Sequence, residues 1–504
     1  MLAAVFACAA CGLVYELALV TLGSYLIGNS VQQASVVLSV FVFAMGIGSL
    51  AAKPLTRAPV QAFAVVEGAL ALLGGLSVLL LYAAFAWLGI YTPALIAVAG
   101  LVGTLIGAEI PLLMTLIQRI RQQDAGEAVA DLFAADYVGA LVGGLAFPFL
   151  LLPVFGQIQG ALVAGAVNLV AAAVVVGWLF GRSLTGRERA ALLAAALAVI
   201  VVLGGAFRAA GGFEVSARQA LYDDPVALAE RTAYQEIVVT VANRPGQPRD
   251  LRLFLNGDLQ FSSVDEYRYH EALVHPVLAG TRGRVLILGG GDGLALREVL
   301  RYPDVERVVE VELDPAVLRL ARTDPELRAL NRGALDDPRV RVVTADAFTW
   351  LRTARERFDA VVIDMPDPDD AATAKLYSAE FYALAANALA PGGRIAVQAG
   401  SPFFAPQAYW CIGATLREAG LAATPYHVDV PSFGGWGFFL AGHGPDAPVP
   451  ALAAGPPPGL RFLDAPTLQA ATVFPADRRP LTVEPSTLMR PRIVGYEQAG
   501  WRGY

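Results

Sequence analysis

The sequence predicts two architectures in one chain: an N-terminal all-α bundle of membrane-spanning helices, and a C-terminal α/β domain that follows a small β-rich subdomain. The bundle is predicted because apolar runs of about 20 residues, long enough to cross a bilayer, recur through roughly the first two-fifths of the chain. The α/β domain is predicted because short strand-like and helix-like runs alternate between residues 284 and 442. The subdomain is predicted from two alternating runs, 234–242 and 251–261, the second of which contains an Asn-Gly turn.

Composition places much of the chain in lipid and argues against a nucleic-acid partner. Of the 504 residues, 56% are hydrophobic and 16% are charged, which is too apolar for an ordinary soluble protein. The formal net charge is −7 and the soluble part has no basic stripe, so no nucleic-acid binding is expected. Cys8 and Cys11 have metal-ligand spacing, but they lie in an apolar helix without histidine partners. Helix packing is therefore favoured, and no metal site is predicted.

Four regions follow from these patterns. Residues 1–208 are predicted to form a multi-span transmembrane domain, 213–264 the β-rich subdomain, 265–444 the α/β domain, and 445–504 a Pro- and Ala-rich appendage without a predicted function. Hydropathy gives about seven spans. They are predicted at residues 3–27, 33–52, 60–86, 91–117, 133–154, 157–180 and 190–207.

Four carboxylates interrupt the apolar runs: Glu16, Glu67, Glu109 and Asp136. Ionisable groups at membrane depth are costly and tend to face the bundle interior or a polar path. They could form a site for a cationic solute such as a polyamine. Alternatively, they could be neutral, hydrogen-bonded acids that hold helices together, or acids near the interface.

The charges of the loops predict an orientation that conflicts with the chemistry. Lys and Arg residues fall in alternate loops, which the positive-inside rule assigns to the cytoplasm. With seven spans in a cell (inner) membrane, the α/β domain would then lie on the outer face. The small-molecule ligand predicted below for the α/β domain is expected in the cytoplasm, which predicts the opposite side. The basic loop residues are Lys53, Arg57, Arg119, Arg121, Arg182, Arg187 and Arg189.

The α/β domain is predicted to hold a doubly wound sheet. Its last two strands have no convincing helix between them and are expected to pair as an antiparallel hairpin. That ending is typical of a class I methyltransferase-like Rossmann fold. Strands are predicted near 284–288, 306–312, 339–345, 358–363, 394–399, 424–430 and 436–441, and helices near 264–278, 294–301, 315–322, 378–389 and 407–419.

The glycine loop Gly289–Gly293 follows the first of these strands and contains Asp292. Glycines let a nucleotide approach the backbone closely. Glu312, about 20 residues beyond the loop, is placed to accept the ribose hydroxyls, and Asp346 can accept from an adenine amino group. These residues indicate an adenosyl ligand without separating NAD from adenosylmethionine. Asp292 favours a cationic sulfonium, because its negative charge would repel a pyrophosphate.

An amine acceptor is indicated by Asp364 and Asp367, which lie on a Pro-stiffened loop after the fourth strand. An alkyl amine with a pKa of about 10.4 is mostly protonated at neutral pH, so a base is needed to free its lone pair. Gln235, Tyr269 and His270 are polar groups from the preceding segments that could close the site over adenosine or amine.

Several strings in fixed order resemble the spermidine synthases, the polyamine aminopropyltransferases, in their form fused to a multi-span membrane region. The resemblance runs from about Tyr234 to Gly442. The strings are Tyr234-Gln235-Glu236, Asn256-Gly257-Asp258-Leu259-Gln260, Asp265 through Glu271, Gly289 through Gly293, Val311-Glu312-Leu313-Asp314 and Asp364 through Pro368.

This resemblance implies decarboxylated S-adenosylmethionine as co-substrate, no tightly bound cofactor, and a diamine acceptor, by default putrescine. The amine would attack the carbon next to sulfur and release methylthioadenosine, giving spermidine. Asp364 is implied as proton acceptor, with Asp367 and Tyr269 completing the catalytic and acceptor-binding group. The implied donor-binding residues are Gln235, His270, Gly289, Gly291, Asp292, Glu312, Asp346 and Ala347.

Three departures from the family pattern weaken the acceptor side more than the donor side. Asp346-Ala347 replaces the usual Asp-Gly, and the segment 369–372 replaces the usual Gly-Pro. The stretch 431–434 lacks the Tyr with which soluble members hold the diamine. The identity of the amine therefore stays a default rather than a deduction.

Two other functions stay open from the sequence. A methyltransferase-like enzyme would use intact S-adenosylmethionine, although that donor's carboxylate would approach Asp292. A polyamine transporter or sensor would bind its ligand without turnover, and Glu109 and Asp136 favour it. The small-residue surface Gly139-x-x-x-Gly143 indicates tight packing within the bundle and leaves a homo-oligomer open.

Overall fold

The computed structural model describes residues 1–27, 30–121 and 125–501. The chain divides into two compact units, Met1–Asp223 and Asp224–Tyr504. The first unit is all helical. Its helices are α1 (Leu2–Ile27), α2 (Ser30–Ala51), α3 (Pro59–Ala83), α4 (Tyr91–Arg121), α5 (Ala125–Ala146), α6 (Leu152–Val174) and α7 (Gly186–Gln219).

Six helical stretches within the described residues are long and apolar enough to cross a membrane. The fifth of them, Val129–Leu179, is 51 residues long and contains a non-helical residue, Gly156, with φ 70° and ψ −174°. A continuous helix of that length would be about 76 Å long, more than twice the hydrocarbon thickness. The break at Gly156 falls between two predicted spans, 133–154 and 157–180. The sequence prediction of seven spans counts this stretch as two spans, whereas the six helical stretches count it as one.

Glycines let helices of the first unit approach closely. A Cβ on Gly139 would lie 2.3 Å from the carbonyl oxygen of Phe6, and one on Gly143 would lie 2.3 Å from that of Ala10. The small-residue surface of α5 is therefore used against α1 inside the bundle. An exposed stripe on α7, which includes Leu193, is apolar and suits contact with lipid.

The end of the first unit differs from the sequence prediction. The last span was expected at 190–207 and the β-rich subdomain from 213, but α7 runs from Gly186 to Gln219. Residues 213–219 thus belong to the helix, and the boundary between the compact units falls after Asp223 rather than at 208. Hydropathy marks only the apolar part of a helix, and Glu214 and Arg218, which pair at 2.9 Å, extend it in polar surroundings.

The second unit begins with a four-stranded antiparallel sheet, in the order β1-β2-β3-β4. Its third and fourth strands form the predicted hairpin, because Asn256 (φ 54°) and Gly257 (φ 96°) adopt the left-handed conformation of a two-residue turn. The strands are β1 (Val226–Arg231), β2 (Glu236–Ala242), β3 (Asp250–Leu255) and β4 (Asp258–Ser262).

A seven-stranded sheet follows, in the order β10-β11-β9-β8-β5-β6-β7. Strands β5 to β9 are parallel neighbours, and β11 pairs antiparallel with both β9 and β10, which confirms the predicted hairpin ending. The strands are β5 (Arg284–Gly289), β6 (Arg307–Glu312), β7 (Val340–Thr344), β8 (Phe358–Asp364), β9 (Leu389–Gln398), β10 (Ala422–Val430) and β11 (Gly434–Gly442).

Helices cover both faces of this sheet, as expected for a doubly wound domain. Two hydrophobic clusters result, one around Val285 and Ile287 and the other around Leu286 and Leu288, since successive strand residues face opposite sides. The helices are α8 (Glu266–Val274), α9 (Leu294–Val299), α10 (Pro315–Thr323), α11 (Pro325–Leu330), α12 (Ala347–Thr353), α13 (Ala371–Ala374), α14 (Ala379–Asn387), α15 (Pro406–Glu418), α16 (Ala465–Ala471) and α17 (Arg492–Trp501).

The C-terminal appendage is packed onto the second unit. The carboxylate of Glu271 accepts from the backbone N–H groups of Arg461, Phe462 and Leu463 at 2.7–3.0 Å. At the end of the chain, the ring of Trp501 stacks on Phe404 with centroids 4.9 Å apart. These contacts bring α17 to the same side of the domain as the loop after β8.

Candidate active site

The candidate site lies at the carboxyl edge of the parallel strands, where ligands bind in open α/β sheets. Strand β5 lies between β6 and β8, and Gly289 at its end is in register with Asp364 at the end of β8. Glu312 ends β6 on the other side. The glycine loop is therefore flanked by one carboxylate on each side, as the strand-end pattern predicts.

The backbone of the glycine loop excludes side chains at its first position. Gly289 has φ +81°, and a Cβ there would lie 2.1 Å from the carbonyl oxygen of Asp364. Gly290 also has positive φ, and its Cβ position lies 3.2 Å from Asp364 Oδ2. One carboxylate oxygen of Asp364 therefore faces the glycine loop.

Gly291 is required for a different reason, the close approach of Glu312. A Cβ on Gly291 would lie 2.7 Å from Glu312 Cγ and Oε2. Glu312 Oε1 accepts from the backbone N–H of Asp314 at 2.8 Å. Burial raises the pKa of Glu312 to about 7, although backbone N–H donors partly oppose the rise. The glycine thus allows an acidic side chain to lie against the loop.

Asp292 lies inside the loop and begins the following helix. Its Oδ1 accepts from the backbone N–H of Leu294 at 2.8 Å, and Asn331 Nδ2 donates to its carbonyl oxygen at 2.9 Å. Burial raises the pKa of Asp292 to about 6; the positive charge of His270 lowers it and the negative charge of Asp364 raises it further. These three side chains therefore interact electrostatically in one buried region.

A buried ionic network on α8 and α9 supports this region. Arg297 donates to both carboxylate oxygens of Glu266, at 2.9 Å each, and His270 Nδ1 lies 2.8 Å from Glu266 Oε2. Burial lowers the pKa of His270, but Glu266, Asp292 and Asp364 outweigh it, and the pKa is raised. His270, predicted as a donor-binding residue, is thus buried and held by Glu266 while its charge acts on two site carboxylates.

Asp364 is bound by Tyr269, another residue of the predicted acceptor-binding group. The hydroxyl of Tyr269 donates to Asp364 Oδ1 at 2.5 Å. Burial raises the pKa of Asp364, whereas His270 and the Tyr269 hydroxyl lower it. The Tyr269 ring packs against Phe433 and Phe438, with centroids 6.1 and 5.3 Å away.

Asp367 lies on the loop after β8 and is held by Gln398 at the end of β9. Gln398 Nε2 donates to Asp367 Oδ1 at 3.0 Å and to the carbonyl oxygen of Met365 at 2.6 Å. The other end of the same amide accepts from Trp436 Nε1 at 3.3 Å. Burial raises the pKa of Asp367 to about 6, with Gln398 lowering it and Asp369 raising it.

Gln235 contacts the glycine-loop side of the site through Asp314. Its Nε2 donates to Asp314 Oδ2 at 3.1 Å, and Thr232 Oγ1 donates to the same oxygen at 2.7 Å. Asp314 caps the first turn of α10, directly after Glu312. Gln235 is thus close to the predicted ribose-binding carboxylate, on the donor side.

Asp346, predicted to accept from adenine, already accepts hydrogen bonds from two groups of the protein through its two carboxylate oxygens. Its Oδ1 accepts from the backbone N–H of Thr349 at 2.8 Å, capping α12, and its Oδ2 accepts from Lys375 Nζ at 2.6 Å. Burial raises the pKa of Asp346, but Lys375 and Thr349 outweigh that effect and the pKa is lowered. Ala347, the next residue, is buried at the start of α12.

The sequence interpretation missed two acids, Asp258 and Glu497, that interact electrostatically with Asp367 and Asp369. Loss of hydration raises the pKa of Asp258 to about 7, although its side chain keeps contact with solvent, and Asp369 and Asp367 add to the rise. Burial raises the pKa of Glu497 to about 8, and Asp367, Asp369 and Asp258 are among the charges that raise it further, while the Trp501 indole N–H lowers it. Asp258 stood inside a quoted string, but Glu497 belongs to an appendage that has no motif.

Comparison with known proteins identifies the family. A model of the spermine/spermidine synthase domain matches residues 266–448. The chain is 64% identical over 506 residues to polyamine aminopropyltransferase 1 of Streptomyces coelicolor, covering 100% of this chain and 95% of the relative. It is 52% identical over 510 residues to the polyamine aminopropyltransferase of Mycobacterium tuberculosis, covering 99% and 96%. This chain belongs to the polyamine aminopropyltransferases.

Two solved structures are also similar to part of this aminopropyltransferase. A spermidine synthase in complex with the transition-state analogue AdoDATO is 26% identical, with a TM-score of 0.45, over 50% of this chain and 85% of that chain. The spermidine synthase of Thermotoga maritima is 28% identical, with a TM-score of 0.45, over 50% and 84%.

Family membership confirms that the chain is a transferase that moves an aminopropyl group. It therefore favours this activity over the two alternatives, a methyltransferase-like enzyme and a non-catalytic ligand-binding domain. It also confirms the predicted resemblance and the Rossmann-like fold of the catalytic domain. The co-substrate of this family is decarboxylated S-adenosylmethionine, as the resemblance implied.

Replacing Gly291 by Ala is expected to weaken donor binding by about 10- to 100-fold. The added Cβ displaces Glu312, and loss of a hydrogen bond to a charged group costs about 1.5–3 kcal/mol. Isothermal titration with the decarboxylated donor measures the change. Gly204→Ala, where a Cβ meets open space, is the control. An unchanged donor affinity in Gly291→Ala would contradict the assignment of Glu312 to the donor.

Proposed function

We propose that this aminopropyltransferase uses a diamine, by default putrescine, as acceptor and releases spermidine and methylthioadenosine. The observation that carries the proposal is that Tyr269, bonded to Asp364 beside the glycine loop that contains Asp292, is also acted on by the charge of Asp367, so three partly buried carboxylates adjoin one another. Three partly buried carboxylates suit two cationic reactants, and no neutral pair of substrates would offset their charge.

The donor is proposed to lie along the glycine loop, with Glu312 accepting the ribose hydroxyls. Asp292 then holds the ammonium of the aminopropyl group. Its pKa of about 6 leaves it mostly ionised at neutral pH, so it can form that ion pair. Intact S-adenosylmethionine would bring its carboxylate towards Asp292, so this residue favours the decarboxylated donor. Gln235, Asp346 and Ala347 complete the proposed nucleoside-binding group.

Asp364 is proposed as the proton acceptor for the attacking amine. Tyr269 occupies one of its oxygens at 2.5 Å, and the other faces the glycine loop, so an amine can be held between Asp364 and the donor. The nitrogen lone pair attacks the carbon next to the sulfonium, and the carbon–sulfur bond breaks. Its electron pair goes to sulfur, giving neutral methylthioadenosine, while the amine proton passes to Asp364. Alignment of the two reactants supplies much of the acceleration.

The far end of the acceptor is proposed to lie among Asp367, Asp258 and Glu497. A diamine has a second ammonium that must be neutralised if the molecule is buried. The charge of Asp367 raises the pKa of both Asp258 and Glu497, and the charge of Asp258 also raises that of Glu497, which is the behaviour of a group that attracts a cation. The C-terminal helix α17 thus adds a carboxylate to the acceptor end.

We further propose that the chain is a multi-pass protein of the cell membrane with its catalytic domain in the cytoplasm. The six long apolar helical stretches of the described residues support the first part. The substrates support the second, since an adenosyl-sulfonium donor is a cytoplasmic metabolite. The basic residues of the loops, combined with seven crossings, favour the opposite side.

Replacing Asp364 by Asn is expected to lower turnover by about 100- to 10,000-fold, because Asn cannot accept the amine proton. The donor affinity should change little, since the carboxamide keeps the shape of the carboxylate. Release of methylthioadenosine measures turnover, and titration with the donor measures affinity. Asp304→Asn, on an exposed carboxylate paired with Arg282, is the control. Turnover within tenfold of the wild type would remove Asp364 from its role.

The pH dependence of kcat/KM is expected to show an acid limb with a midpoint near pH 6. Asp292 and Asp367 both have a pKa of about 6, and both must be ionised to hold an ammonium. As pH falls through this value they become protonated and binding is lost. Below pH 6 the limb should reach a slope of at least two, and Asp367→Asn should reduce that slope by about one. A wild-type rate that is constant down to pH 5 would refute the proposed pairing.

Replacing Glu497 by Gln is expected to raise the KM for the diamine by about tenfold when the assay is run at pH 9, where a carboxyl group with a pKa of about 8 is mostly ionised. A tenfold change corresponds to roughly 1.4 kcal/mol of lost charge pairing. The KM for the donor should not change, because Glu497 interacts with the acceptor-end acids. Initial rates with varied putrescine measure the effect. The same assay with longer diamines tests which chain length places the second ammonium near Glu497. Glu418→Gln, on an exposed residue of α15, is the control. Equal KM values for putrescine in both variants would exclude Glu497 from the acceptor site.

A further inference from the structure

Four helices of the first unit bring a thiol, two carboxylates and a carboxamide together in the bundle interior. Cys8 comes from α1, Glu67 from α3, Glu109 from α4 and Asn168 from α6. Cys8, Glu67 and Asn168 are fully buried, and Glu109 is 5% exposed. One ligand atom from each of Cys8, Glu67 and Glu109 lies within 4.8 Å of the others. These residues are separated by up to 160 positions in the sequence, so no local motif predicts the group.

The hydrogen bonds of this group leave acceptors free. Asn168 Nδ2 donates to Glu67 Oε2 at 2.7 Å. Glu67 Oε1 and Asn168 Oδ1 are buried without a hydrogen-bond partner among the described residues. A buried acceptor without a partner costs about 1–3 kcal/mol, so two of them beside a thiol and a second carboxylate point to a ligand that accepts electron pairs.

We propose that Cys8, Glu67 and Glu109 bind a divalent transition-metal ion of the zinc type. Sulfur and carboxylate oxygen are ordinary zinc ligands, at about 2.3 Å and 2.0–2.2 Å respectively, and three protein ligands leave a fourth position open. Donors around such an ion lie roughly 3.5 Å apart, and the three ligand atoms here lie within 4.8 Å of one another, so small side-chain rotations bring them to binding distance. The ion offsets the charge of two carboxylates in an apolar bundle, where unpaired charge is costly.

Asn168 has the role of a positioning residue in this site. A metal-binding carboxylate is commonly held through its second oxygen by a neighbouring donor, which orients the first oxygen towards the ion. Asn168 holds Oε2 of Glu67 and leaves Oε1 free, which is that arrangement. The soft thiol of Cys8 argues for a transition metal over an organic ammonium, which would be better served by oxygen acceptors alone.

The proposal corrects the sequence interpretation of the Cys8-x-x-Cys11 pair. The second cysteine is buried but is not one of the three grouped ligands. The site therefore uses only one cysteine, and its partners are acids from helices distant in sequence. Cys11→Ser and Glu16→Gln consequently serve as matched controls on the same helix, because each changes the same residue type outside the site.

The test is titration of the purified full chain, in detergent micelles and stripped of metal, with Co²⁺ as a visible substitute for Zn²⁺. We expect one equivalent to bind, with a thiolate-to-cobalt charge-transfer band and release of a proton from Cys8. Zn²⁺ should displace the cobalt. Cys8→Ser should abolish the band, while Cys11→Ser should retain it. Glu67→Gln and Glu109→Gln should weaken binding by at least tenfold, and Glu16→Gln should not.

Three outcomes would overturn the proposal: absence of saturable cobalt binding by the wild-type chain, a charge-transfer band that survives in Cys8→Ser, or equal binding by Glu67→Gln and Glu16→Gln. The wild-type result and the two controls do not depend on whether a site variant folds. Asn168→Ala supplies a second test, since loss of a positioning group should lower the affinity by about 10- to 100-fold without changing the band.

Discussion

Burial of like charges at one sheet edge is the constraint on which the catalytic unit depends. Asp292, Asp364 and Asp367 are partly removed from water at or after the ends of adjoining strands, which raises the pKa of each. The protein offsets this cost only in part. His270, held by Glu266, lowers the pKa of two of these acids, and Arg297 in turn fixes Glu266 through two hydrogen bonds of 2.9 Å. The remaining negative charge makes the cleft selective for cations, and cationic substrates neutralise the charge that the protein itself does not.

The sheet and the donor side could be predicted because local patterns encode them. Each strand of the large sheet is a short apolar run, and the loop after β5 needs glycines for reasons visible in the backbone, such as the 2.1 Å approach of Asp364 to Gly289. Glu312 follows at the spacing that one helix and one strand impose. The last span was less predictable, because α7 continues through charged residues that hydropathy does not count. The break at Gly156 was readable as a gap between two apolar runs.

The acceptor side and the interior of the bundle could not be predicted, because their residues are brought together by packing. Glu497 lies in a helix that Trp501 and Phe404 fix by stacking, and nothing near it in sequence indicates a site. Gln398 ends a strand in an ordinary apolar context, yet its amide orders Asp367. In the first unit, four helices contribute one polar side chain each. Patterns in a single sequence reveal residues that are close along the chain, whereas the residues of these groups are close only in the folded structure.

The stretch 431–434 shows how this chain can manage without the Tyr that soluble members place near the diamine. Ser432 binds Asp265 through its N–H at 2.7 Å and its hydroxyl at 2.9 Å, which anchors the stretch at the start of α8. Phe433 then packs edge-on against Tyr269 and also against Trp436. The stretch therefore contributes rigidity instead of a hydroxyl, since it fixes the ring whose oxygen holds Asp364. In the proposed acceptor site, the carboxyl group of Glu497 on α17 would attract the second ammonium instead of that Tyr, because charge acts over a longer range than a single hydrogen bond.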